Sequence, residues 1–183
     1  MMWDDALTVA AIRSGDRDAF TAIVERYQAQ LARYLYRLVG NEQTALDLAQ
    51  DTFLEAYRSL HTLRSDLALR AWLFRIATNR AIEVHRRRRR IQWLPLLGGA
   101  QAREAPGPTP EEACGEHDLV MQALRRLPRD HAACLILHHH EGFTYGDVAA
   151  IVGISSEATR KRIARARDQF KVIYGQLTEE APR

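Results

Sequence analysis

The residues best equipped for chemistry in this chain are arginines, and the chemistry they offer is recognition of a polyanion. Between Trp72 and Arg90 the sequence reads WLFRIATNRAIEVHRRRRR. On a helical wheel Leu73, Ala77 and Val84 gather at about 100–140° from Trp72, while Arg75, Asn79 and Arg86 gather at about 300–340°. One face therefore packs, and the other presents guanidiniums and an amide, with Arg80 on the same helix. Arg86–Arg90 adds five consecutive cations, which repel one another unless counterions or phosphates neutralise them. The pattern suits a nucleic-acid backbone and a steep salt dependence; a solvated basic run or a targeting signal is the bland alternative. Trp72 and Asn79 beside the patch suit unstacked bases, since aromatics stack and amides read base edges.

A second constellation lies in Thr144–Phe170, TYGDVAAIVGISSEATRKRIARARDQF. Thr144 with Asp147 makes a T-x-x-D helix start, and Val148, Ala149, Ile151 and Val152 form an apolar face. Gly153 sits where a helix C-terminus turns, Ile154 returns to the core, and Ser155 or Ser156 caps a second helix. Helix, glycine turn and capped helix make a helix-turn-helix. In the second helix Thr159, Ile163, Ala166 and Phe170 share the packing face, and Glu157, Lys161, Ala164 and Arg165 lie opposite with Arg160 and Arg162 on the flanks. Small and cationic residues there suit a major groove, with Arg or Lys on guanine edges and the rest on phosphates. An amphipathic hairpin with a basic outer face is the alternative.

A third feature is anionic. At 100° per residue Asp47, Asp51 and Glu55 lie on one helical stripe with Gln50 beside them. Such a stripe is either a solvated face or a docking surface whose charge orients a basic partner helix.

The elements that must position these groups are helical. In Ala19–Val39 the residues Phe20, Ile23, Val24, Tyr27, Leu31, Tyr34, Leu35 and Leu38 recur at steps of three and four, and Gly40 supplies a stop. Thr44–Leu60 repeats the pattern through Leu46, Ala49, Phe53, Leu54 and Tyr57. No window alternates with the period of a strand, so the fold class expected is all-α. Ile91–Glu116 holds four of the six prolines and reads as a flexible linker, its first part apolar through Trp93, Leu94, Leu96 and Leu97. It divides the chain into two small helical domains, about 10–90 and 117–175, with the linker at 91–116.

Charge follows this division. Residues 61–90 hold nine Arg against two acids, whereas residues 1–60 hold six Arg against nine acids, so the formal net charge of +3 conceals separate acidic and basic surfaces. No apolar run approaches the ~18 residues of a membrane span, and Asp4 and Asp5 stand where a secretory leader would be basic. A soluble, cytoplasmic chain without membrane insertion is expected. There is no P-loop, G-x-G-x-x-G or G-x-S-x-G, so no catalytic residues, cofactor or metal are assigned. His131, Cys134 and His138 stand at helical steps compatible with zinc ligation, but a polar surface cluster is the simpler reading.

Taken together, GDRDAFTAIVERY, DLAQDTFLEAYRSL, RAWLFRIATNRAIEVHRRRRR and LPRDHAACLILHHHEGFTYGDVAAIVGIS with TRKRIARAR resemble, in that order, an extracytoplasmic-function sigma factor, over about residues 10–175. The resemblance implies a subunit of bacterial transcription initiation, often stress-responsive, with one domain for the promoter −10 element and one for the −35 element. It implies that Asp47, Gln50, Asp51 and Glu55 dock on the β′ clamp helices of core RNA polymerase, with the β flap as a second contact. It implies that Arg64, Ser65 and Asp66 form the loop that holds a flipped −10 base, with Asn79 in the same pocket and Trp72, Arg75, Arg80 and Arg86 along the same DNA. Ser156, Arg160, Lys161, Arg162, Ala164 and Arg165 would meet the −35 duplex. An anti-sigma factor is a further implied partner. Glu157-Ala158-Thr159 departs from the usual small-Thr-Val start of the recognition helix, and Lys161 stands where serine is common. The competing reading is a dimeric helix-turn-helix regulator that binds duplex DNA independently of polymerase; it leaves the acidic stripe and the first basic unit unexplained.

Overall fold

The computed structural model describes residues 5–13, 16, 18–60, 63, 69–92 and 115–180, those at 5–7, 13 and 88–92 by their backbone alone. Every regular element among them is helical: α1 Asp5–Arg13, α2 Asp18–Val39, α3 Glu42–Ser59, α4 Leu69–Gln92, α5 Glu116–Arg126, α6 Arg129–His139, α7 Tyr145–Val152 and α8 Ser156–Glu180. Among the described residues no helix is long and apolar enough to cross a membrane. The expected linker lies outside the described residues.

Helices α1–α4 form the first unit. Helix α2 buries Ile23, Tyr27, Leu31, Tyr34, Leu35 and Leu38, the three- and four-residue steps read in its sequence. Gly40, at φ 76°, turns the chain into α3, where Asn41 Oδ1 accepts from the backbone N–H of Thr44 at 2.8 Å. Helix α3, packed against α2 and α4, buries the small residues Ala45, Ala49, Thr52 and Ala56 with Leu48 and Phe53 beside them, and close approach leaves little void. Helix α4 inserts Leu69, Trp72, Leu73, Phe74, Ala77 and Thr78 into the same core. Thr78 donates to the carbonyl of Phe74 at 2.6 Å, so the hydroxyl of Tyr34 donates to Thr78 Oγ1 at 2.7 Å. Burial holds the Tyr34 phenol well above its ordinary range.

Helices α5–α8 form the second unit around Met121, Leu124, Ala132, Cys134, Leu137, Val148, Ile151, Ile163 and Ala166. The two units do not stand apart. Helix α4 lies against α6 and α7, and α2 against α5 and α6. The rings of Tyr34, Phe74 and Phe143 run in series from one core into the other, at centroid spacings of 5.0 and 5.1 Å.

Candidate nucleic-acid interface

The helix-turn-helix is fixed at each joint by a local interaction. At the start of α7 Thr144 and Asp147 make a reciprocal capping box. At its end Gly153 adopts φ 72°, the left-handed conformation that glycine takes without a Cβ penalty. Ser155, not Ser156, caps α8, its Oγ accepting from the N–H of Ala158 at 3.1 Å. Buried Thr159 donates to the carbonyl of Ser155 at 3.0 Å and, with Ile163 and Ala166, seats α8 against its neighbours.

That seating leaves Ser156, Arg160, Lys161, Ala164 and Arg165 exposed together on the outer side of α8. Arg162 behaves differently. Its guanidinium lies 3.5 Å from Asp130 of α6 and bonds to the buried Cys134, whose thiol burial pushes up to about 11. Arg162 thus joins α6 to α8. Glu157 pairs with Lys161 at 2.6 Å in the first turn, where an acid also suits the positive end of the helix dipole. The sequence reading passed over two further cations: Arg167 and Lys171 are exposed and continue the line of Arg160 and Ala164 at helical steps. It also passed over Tyr145, whose exposed ring stacks on His138 at 4.2 Å and lies 5.7 Å beneath the Arg160 guanidinium. His131 donates to Gln169 and His138 to the carbonyl of Phe143, so the imagined zinc ligands turn to separate partners.

On α4 the structure places Arg75, Asn79 and Arg86 on the exposed side, with Arg87 beside them. Trp72 is 6% exposed and belongs to the core: its ring fills volume between helices, so the base-stacking part expected of it does not fit this geometry. Arg80 turns toward α3 and donates to Glu55 Oε2 at 3.0 Å. That half-exposed pair ties α3 to α4 and draws Glu55 away from the acidic stripe; pairs of this kind contribute at most about 1 kcal/mol. Arg64, Ser65 and Asp66 lie outside the described residues.

Asp47, Gln50 and Asp51 are exposed along α3. Beside them the structure shows what the sequence reading assigned to packing. Leu46, Leu54 and Tyr57 are 49, 48 and 47% exposed, and with Phe20, Val24 and Gln28 of α2 they line an open groove of about 650 Å³. Phe20 and Tyr57 meet edge to face across it at 5.1 Å. The apolar arc of α3 is wider than its contact with α2 and α4 requires, and the surplus forms an apolar floor edged by acids.

A capped helix-turn-helix with a cationic outer face, carried beside a second helical unit with a cationic edge and an apolar groove, defines a two-domain transcription factor. The family model for sigma-70 region 2 matches residues 23–91, and that for sigma-70 region 4 matches residues 117–170. The chain is 31% identical to the ECF RNA polymerase sigma-E factor of Haemophilus influenzae, over 91% of this chain and 93% of that one. Among solved structures it is similar to CnrH in complex with the cytosolic domain of CnrY, with TM-score 0.71 and 27% identity over 94% of this chain and 97% of that one. It is also similar to the sigma factor RpoE of Bartonella quintana in complex with the anti-sigma factor NepR, with TM-score 0.67 and 26% identity over 84% and 95%. The chain belongs to the extracytoplasmic-function family of RNA polymerase sigma factors. It is an alternative sigma factor that directs promoter-specific transcription initiation, not a polymerase-independent dimeric regulator.

Proposed function

We propose that this sigma factor divides its task among three surfaces. The α2–α3 groove, with Leu46, Leu54 and Tyr57 as its floor and Asp47, Gln50 and Asp51 at its edge, receives a basic amphipathic helix of core polymerase, the β′ clamp. Burial of the apolar floor supplies affinity, and the acids supply orientation and on-rate. The outer edge of α4, Arg75, Asn79 and Arg86, together with Arg64, Ser65 and Asp66, holds the separated −10 strand. The exposed face of α8, Arg160, Lys161, Ala164 and Arg165, reads the −35 duplex from the major groove. The units at about 10–90 and 117–175 act as the −10 and −35 domains, and the second also meets the β flap. The protein works in the cytoplasm and performs no reaction itself; RNA synthesis belongs to the polymerase. A partner of the anti-sigma kind, as in the Bartonella complex, would silence it by covering the groove and α8.

The observation that carries this reading is the groove, because DNA binding alone needs no half-exposed leucines and tyrosine edged by acids. The test is reconstitution with core polymerase. The wild-type chain should start RNA at specific promoters. Leu54→Glu and Asp51→Arg should each weaken core binding at least tenfold, about 1.4 kcal/mol, with helical circular dichroism unchanged. Full core affinity in both variants would overturn the docking assignment.

A further inference from the structure

The cations in the first turns of α8 are not equivalent. Arg162 is held by Asp130 of α6, and the Arg160 guanidinium lies over the ring of Tyr145. Lys161, between them, is bound to an acid of its own helix. Its Nζ donates to Glu157 Oε1 at 2.6 Å, and the two side chains are 66 and 76% exposed. Among the described residues neither side chain has a second hydrogen-bond or ion-pair partner. An exposed pair four residues apart contributes little to the stability of a helix, and an acid on the outer face of a recognition helix is repelled by phosphates. Fold stability therefore does not account for the pair.

Position and hydrogen-bonding capacity do. Glu157 and Lys161 are the second and sixth residues of α8, in the N-terminal part of the helix that a helix-turn-helix places against base edges in the major groove. Ala164, exposed on the same face one turn further along, is too short to hold the helix off the bases. An ammonium has three donors, and an ionised carboxylate has acceptors only. With one N–H on Glu157, Lys161 keeps two for a ligand, and Glu157 keeps the lone pairs of Oε2. The pair thus presents two donors and an acceptor side by side.

A G·C pair presents the complement in the major groove: guanine N7 and O6 accept, and cytosine N4 donates. O6 and N4 are joined by a hydrogen bond of about 2.9 Å, close to the 2.6 Å between Nζ and Oε1. One ion pair therefore fits across one base pair with its own bond kept. The other base pairs fit less well. A·T and T·A each offer one acceptor next to the adenine N6 donor, so one ammonium proton goes without a partner. C·G, met in the same direction, turns N4 toward the ammonium and N7 toward the carboxylate, like against like.

We propose that Glu157 and Lys161 act as one reading unit of α8, specific for a single G·C pair of the −35 duplex: Lys161 donates to guanine O6 and N7 while Glu157 accepts from cytosine N4. The proposal rests on the assignment of α8 to that duplex and adds the identity of one base pair and a role for Glu157. The carboxylate also keeps the ammonium off the phosphates, so Lys161 contributes sequence discrimination rather than salt-dependent affinity.

The test uses holoenzyme reconstituted from the full chain and core polymerase, with a duplex library randomised across the upstream element. The wild type should show one position at which G·C is selected over C·G at least fivefold. Glu157→Gln and Lys161→Ala should each reduce that ratio at least threefold there and leave other positions within twofold. The double variant should do no more than the stronger single one, as expected of two members of one unit. Both side chains are exposed, so helical circular dichroism should match the wild type. Against salt, Lys161→Ala should keep the wild-type slope of log K, whereas loss of a phosphate contact lowers it by about 0.9. A slope lowered in that way with every duplex weakened alike overturns the proposal, as does a Glu157→Gln variant whose selected sequence is unchanged. In either case the assignment of α8 stands if Arg165→Ala still alters the selected sequence. A wild-type holoenzyme that selects no upstream element overturns both.

Discussion

Tyr34 and Thr78 meet inside the first unit as a short chain of hydrogen bonds ending on the carbonyl of Phe74. Thr78→Val keeps the shape but leaves the fully buried Tyr34 hydroxyl without its acceptor. An expected loss of about 1–3 kcal/mol follows from the desolvation cost of an orphaned buried hydroxyl, to be read from the urea midpoint. Gly146 offers the opposite case. It lies in the first turn of α7, and a Cβ there would rest 3.7 Å from Thr144 Oγ1, an ordinary contact. Gly146→Ala should therefore stabilise the protein by about 0.4–1 kcal/mol through the unfolded chain, measurable in the same titration. Neither residue touches a reading face, so −35 duplex affinity should remain unchanged in both variants.

At the scale of elements, α8 carries two kinds of cation that sequence alone does not separate. Arg165 is exposed on the part of α8 proposed above to read base edges, whereas Lys171, also exposed, lies six residues further along. Arg165→Ala should cost about 1–3 kcal/mol on the preferred duplex and blunt discrimination at one base pair. Lys171→Ala should weaken all duplexes alike and reduce the slope of log K against log salt by about 1. Titrations at several salt concentrations on matched and scrambled duplexes distinguish the two. The helices, the capping box of Thr144 and the turn at Gly153 were legible because each is set by residues within a few positions. Trp72 and Leu54 were not: a helical wheel gives direction but not the width of the neighbour, so a core tryptophan was assigned to DNA and a groove leucine to the core. The ion pairs of Arg162 and Arg80 were not legible for a related reason, since only the fold shows that Asp130 and Glu55 lie within reach of them.

Across the whole molecule, the two-unit plan was legible through the charge division and the proline-rich stretch, while the union of the units was not. Arg70 donates to the carbonyl of Glu141, Gln30 to its carboxylate and Arg125 to the carbonyl of Gly40. These partners are separated by tens of residues, and no local pattern announces such meetings. Because the aromatic series Tyr34, Phe74 and Phe143 links the cores, scanning calorimetry of the wild-type chain should show one endotherm, and the Arg70→Ala Arg125→Ala double variant should resolve into two. Two endotherms in the wild type would mean that the cores melt independently despite their contact.

The placement of Arg125 over Gly40 carries a consequence for stability. A side chain at position 40 would meet the Arg125 guanidinium and strain the φ 76° turn, so Gly40→Val should loosen the meeting of α2 with α5 and lower the melting temperature.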